Sequence, residues 1–78
     1  MIIGVKNGER LPIAGVAREA GIQRRGTTAI VTVLRDSLIA TPRPHETYHL
    51  GGDAYRLARI LERSSTILRF EMERQQNG

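Results

Sequence analysis

The chain has 78 residues, no cysteine and two histidines, with twelve basic side chains against eight acidic ones for a net charge of +4. That length holds one small domain, and the lack of cysteine excludes disulfides, thiolate metal centres and thiol nucleophiles. Eleven of the basic residues are arginine, a balance that favours polyanionic partners through long-range attraction, although a merely solvated arginine surface has the same composition.

So small a chain encloses little core. Oligomerisation is the remaining common way to bury more apolar surface, and a dimer is expected. No apolar run approaches the roughly 20 residues that a membrane span needs. Met1, Ile2 and Ile3 lack the charged start and long apolar stretch of a secretory signal. The expectation is a cytoplasmic protein with no membrane contact.

In chain order, Asn7-Gly8 suits the centre of a tight hairpin turn, with apolar residues on both sides. A hairpin is predicted from residues 2–5 and 9–13. Pro12 has no N–H, so its strand must lie at an edge or be ending. Residues 14–20 follow with Val16, Ala17 and Ala20 at helical spacing, and Gly21 suits the left-handed position that closes a helix. A turn at 23–26 comes next.

Residues 27–39 admit two readings. Ile30, Val33, Leu34, Ser37 and Leu38 fall on one face of a helix, with Thr27 or Thr28 as its N-cap. Against that, residues 27–33 are rich in β-branched side chains, which favour a strand. The pattern at 34–39 is helical rather than alternating, so the helix is preferred and the strand is kept as the alternative. Residues 40–52 contain Pro42 and Pro44, which cannot sit in a helix interior. Residues 46–50 alternate and read as a strand, pairing with 38–41 around a tip at 42–45.

Residues 53–75 read as a single helix capped by Asp53, about 33 Å long. Ala54, Leu57, Ala58, Leu61, Ser65, Leu68 and Met72 make one stripe, widened by Ile60, Ile67 and Phe70. Apolar spacing near a heptad on so long a helix suggests pairing between two chains, with Leu57, Leu61, Leu68 and Met72 as dimerisation residues. Packing of that helix along its own domain is the alternative.

From residue 13 to residue 60 the order of these features resembles winged helix-turn-helix DNA-binding domains, most nearly the MerR-like and excisionase-like group. The match to its opening helix is Ile13, Val16, Ala17, Ala20, Gly21 and Ile22. A second run matches at Leu34, Arg35, Leu38 and Ile39, and the wing at Pro42, Arg43, Pro44 and Tyr48. The N-terminal hairpin and the long spacing between residues 22 and 34 depart from that pattern. The resemblance implies a mostly α fold with a small β component. Its parts are a hairpin at 1–13, helix-turn-helix at 14–39, wing at 40–52 and a long dimerisation helix at 53–75.

On that frame Thr28, Thr32 and Arg35 face outward from a recognition helix, where arginine can bond guanine and threonine a base edge or phosphate. Arg24 and Arg25 precede the helix, where phosphate is favoured. Arg43 and His45 stand at the wing tip, where an arginine can enter the minor groove. Double-stranded DNA is the expected partner of a homodimeric regulator or excisionase-like factor of the kind a phage or plasmid encodes. No catalytic set, metal site or cofactor motif is present, so an enzyme is not expected. The competing expectation is a small inhibitor or adaptor that binds a host protein, and a third is a structural subunit assembling through 53–75.

Overall fold

The computed structural model describes residues 8–75, which form one antiparallel sheet of six strands. These are β1 (Gly8–Ile13), β2 (Ala17–Arg25), β3 (Thr28–Leu34), β4 (Thr47–Leu50), β5 (Asp53–Arg63) and β6 (Ile67–Arg74), in the spatial order β1-β2-β3-β6-β5-β4. The only helical piece among the described residues is a three-residue 3-10 turn, Arg35–Ser37. A winged helix-turn-helix needs helices, so the predicted fold is corrected: the described residues make an all-β fold. The expected helices at 14–20, 27–39 and 53–75 are strands and turns, and the recognition helix does not exist. The first arm of the predicted hairpin, residues 2–5, lies outside the described residues; its second arm is β1, with Pro12 on the edge strand of the sheet.

Strand wins at Thr28–Leu34 because alternation, not a helical face, sorts its side chains. Ala29, Val31 and Val33 are fully buried, while Thr28, Ile30 and Thr32 stay half-exposed on the other face. β-branched residues fit that pleated surface better than they fit a helix. In β6 the same alternation buries Leu68, Phe70 and Met72.

Hairpin turns, not caps, occupy the glycine positions. Gly26 (φ +59°) and Gly51 (φ +68°) take the first central place of two-residue turns joining β2 to β3 and β4 to β5. Positive φ is required there, as in a II′ hairpin. Ser64 shapes the β5–β6 turn: its Oγ accepts hydrogen bonds from the N–H groups of Thr66 and Ile67, at 3.3 and 3.1 Å. Three residues that disfavour the middle of a helix thus reverse the chain.

The sheet curls so that one face encloses the core. Ile13, Val16, Ala20, Ile22, Val31, Val33, Leu50, Tyr55, Leu68 and Phe70 are all buried there. The 35–46 segment covers one end of that core. Leu38 bridges Ala17, the Val16 carbonyl accepts from the N–H groups of Ile39 and Ala40, and Pro42 is buried. At the far side β1 and β4 approach each other without pairing, leaving a seam. No helix among the described residues is long and apolar enough to cross a membrane.

Candidate binding surface

Arg24 was expected to meet phosphate. Its position on β2 aligns with Ile22 and Ala20, so its side chain enters the concave face and reaches across the seam. Nε and Nη2 donate to the two Glu9 carboxylate oxygens at 2.7 and 3.3 Å. Nη1 donates to Asp53 at 3.0 Å and to the Tyr55 hydroxyl at 3.3 Å, and Nη2 donates to the Leu50 carbonyl at 3.0 Å. The guanidinium also stands 5.8 Å from the centre of the Tyr55 ring, within cation–π range. The hydrogen bond to Glu9 raises the Arg24 pKa above its ordinary value, outweighing the opposite effect of partial burial, and the Glu9 charge and Tyr55 add to the rise. One planar fork therefore ties β1, β2 and the β4–β5 turn together, a geometry that suits arginine and not lysine.

The other expected DNA contacts are dispersed. Arg25 is exposed on the convex face, opposite to Arg24, beside Thr28 in the ladder. Thr32 lies farther along β3, where its Oγ1 accepts from Arg69 Nε at 3.2 Å. Arg35 donates Nε to the Ser64 carbonyl at 2.9 Å, fastening the 3-10 turn to the β5–β6 turn. Arg43 and His45 are exposed on the 35–46 segment, where the Arg43 N–H donates to the Tyr48 hydroxyl at 2.8 Å. Arg24, Arg25 and Thr28 thus gather at the β2–β3 turn, and Arg35 lies at the opposite end of β3, about 23 Å away by strand rise. Of the expected dimerisation residues, Leu68 and Met72 are wholly buried in the core, Leu57 is half-buried and Leu61 is 42% exposed.

The convex face carries its arginines in alternation with glutamates. Arg59 pairs Glu71 at 3.0 Å, Arg69 pairs Glu62 at 3.1 Å, and Arg56 lies opposite Glu73 in the ladder. Such pairs neutralise one another and leave no continuous basic stripe over β5 and β6.

The gap in that face is Gly21. Its row runs Arg10, Gly21, Thr32, Arg69 and Glu62 across five strands. The neighbouring row is filled by Gln23, Ile30 and Glu71, whereas Gly21 offers no side chain. The result is an open groove of about 550 Å³ whose lining includes Gly8, Arg10, Gly21, Gln23, Ile30 and Arg69. A second depression of about 260 Å³ shares Arg10, Gly21 and Thr32 with it and extends to Glu19, Leu34 and Ser37. Together they follow β2 from Gln23 to Glu19. Ile30 and the 58% exposed Leu34 supply apolar surface, and Arg10, 77% exposed at its side chain and 3.5 Å from the Glu19 carboxylate, supplies a cation held by a long, solvent-exposed pair.

Gly21 and Arg10 escaped the sequence reading because Gly21 was assigned to the end of a helix. The available signal was its placement between Ala20 and Ile22, a small gap on the outer face of an alternating run. Among the described residues no three His, Asp or Glu side chains gather as a metal site. No family model matches the chain, and no curated protein or solved structure does either.

Proposed function

We propose that the chain is a small protein-docking module whose convex groove receives an extended segment of a partner protein. The observation that carries this reading is the vacancy over Gly21, bordered by Ile30 and Leu34 on one side and Arg10 on the other. A groove running along a strand fits an extended peptide, with alternate side chains lying in it and facing away. Its mixture of apolar surface and arginine selects a segment that carries aliphatic residues and an acid. The loss of a recognition helix and the charge alternation of β5 and β6 both favour a protein partner over a nucleic-acid one.

Panning a display library of short random peptides on the full chain tests this. Peptides with aliphatic and acidic residues are expected to be enriched. Their affinity for a Gly21→Leu variant should fall by about tenfold or more, roughly 1.4 kcal/mol. That variant has room to fold: Gly21 has no positive φ, and an added Cβ meets only the Thr32 carbonyl, at an ordinary 3.6 Å. Peptides that bind it equally well, or no enrichment at all, would sink the reading. Preferential binding of duplex DNA with a steep loss on added salt would transfer the partner to nucleic acid.

A further inference from the structure

The edge of β5 offers a second surface, independent of the groove. β4 pairs with β5 only from Asp53 to Arg56, although β5 continues to Arg63. From Leu57 to Arg63 the strand is paired to β6 on one side and to no strand among the described residues on the other. Backbone N–H and C=O groups along a bare edge are a template for another strand. Neither proline nor lysine protects this one. Its interruptions are two bulges, placed where the register with β6 shifts between Leu57 and Arg59 and again between Ile60 and Glu62.

The second bulge specifies what can pair. In a regular strand outward side chains recur every two residues. Here the convex face holds Arg59 and, three residues later, Glu62, because Leu61 is the extra residue. A regular partner strand, as β6 does, meets that stretch with one residue fewer and leaves Leu61 unopposed. A strand with the same bulge keeps step. Two copies of β5 run antiparallel about a twofold axis between Ile60 and Leu61 set Arg59 against Glu62 of the other copy and Ile60 against its Leu61. Within each copy Glu71 pairs Arg59 and Glu62 pairs Arg69. Across the axis the convex rows then read Glu71, Arg59, Glu62, Arg69, alternating in sign over four strands. The exposed Leu61 is covered at the centre.

We propose that β5 is a self-association edge, and that two chains pair through residues 58–63 in this register to form one continuous antiparallel sheet. Opposite charges facing each other support cross-strand pairing, and like charges oppose it. The contact is one strand wide, so the dimer is in measurable equilibrium with the monomer and weakens with salt.

Sedimentation equilibrium of the full chain over a range of concentrations reads this directly. Wild type is expected to reach a dimer and no larger species. Arg59→Glu and Glu62→Arg each place like charges across the axis and should weaken association about tenfold or more. The double swap restores opposite charges and should recover the dimer. Arg56→Glu, on the same strand and face but beside β4, should leave it unchanged, as should Gly21→Leu. Thermal melts verify that each variant is folded. A wild type that stays monomeric, a dimer indifferent to both single swaps, or a double swap that stays dissociated overturns the proposal. None of these outcomes bears on peptide binding at Gly21.

Discussion

Along the seam between β1 and β4, one arginine joins two strands that make no ladder; along residues 57–63 of β5, a ladder position is left unfilled by any strand among the described residues. Ion pairs occur in both regions but differ in kind. In the Arg24 cluster the cation is half-buried and forks between two exposed carboxylates, a hydroxyl and a carbonyl. The Arg59–Glu71 and Arg69–Glu62 pairs lie on the open convex face, each between two neighbouring strands. A similar count of charges fastens the fold in one place and decorates it in another. The burial of the cation and the number of elements it joins decide which.

The seam breaks first with Arg24→Ala. That change removes the five hydrogen bonds made by one side chain and leaves Glu9 and Asp53 without their shared cation. Hydrogen bonds to charged groups are worth more than neutral ones, while the partial exposure of both carboxylates discounts their share. A loss of about 2–3 kcal/mol is expected, seen as a fall in thermal midpoint of roughly 10 °C or more. Arg24→Lys should recover less than half of it, since an ammonium cannot fork between Glu9 and Asp53. Recovery in full would mean that net charge, not the planar geometry, closes the seam. The raised Arg24 pKa has a definite sign: its stabilisation is fully present below the unfolded-state value and is lost only as pH rises through the folded one. Because that window is strongly alkaline, the Arg24→Ala deficit measured by chemical denaturation should stay level from neutral pH to about pH 10.

A smaller effect on the same seam is expected from Gly51→Ala. A Cβ there would lie 3.3 Å from Arg24 Nη2, and the residue holds φ at +68°. The left-handed backbone alone costs an L residue about 1–2 kcal/mol, and the displaced guanidinium adds to that. A double-mutant cycle of Gly51→Ala with Arg24→Ala separates the two contributions. Simple additivity would show that the methyl group never touches the clasp.

How far the sequence disclosed this fold follows from how its strands are irregular. Leu11 pairs with Ala20 and Ile13 with Ala17, so β2 has one extra residue and buries two alanines three positions apart. That is the spacing of a helix face, and it is why residues 14–20 resemble one. β5 repeats the effect: a bulge carries the inward side from Leu57 to Ile60. Leu68 and Met72, four apart, fit a period of two as well as a period near 3.6, so they could not decide between strand and helix. The β-branched run at 27–33 was legible and kept the strand open as the alternative, whereas Ser64, Ser65 and Thr66 were absorbed into a single expected helix although they form the β5–β6 turn. Arg24 was noticed for its charge, but its partners lie 15 to 31 residues away in sequence, and only curling of the sheet brings them together. The groove was hidden because it is made by an absent side chain.

The faintest change sharpens the contrast from the other side. Glu62→Ala removes a 3.1 Å ion pair whose side chains are both more than two-fifths exposed. Arg69 keeps its bond to Thr32 through Nε, and water can solvate the guanidinium nitrogen that Glu62 leaves. Exposed pairs of this sort contribute about 0–1 kcal/mol, so the denaturation midpoint measured at monomeric concentration should move little, and added salt should shrink even that shift. A destabilisation as large as that of Arg24→Ala would erase the distinction between the two regions, because it would mean that a single pair joining neighbouring strands holds the sheet as firmly as the five-bonded clasp. A small shift places the stability of the β5–β6 hairpin where its burial already lies, in Leu68, Phe70 and Met72 on the inner face, and leaves the outer charges available for contacts beyond the chain.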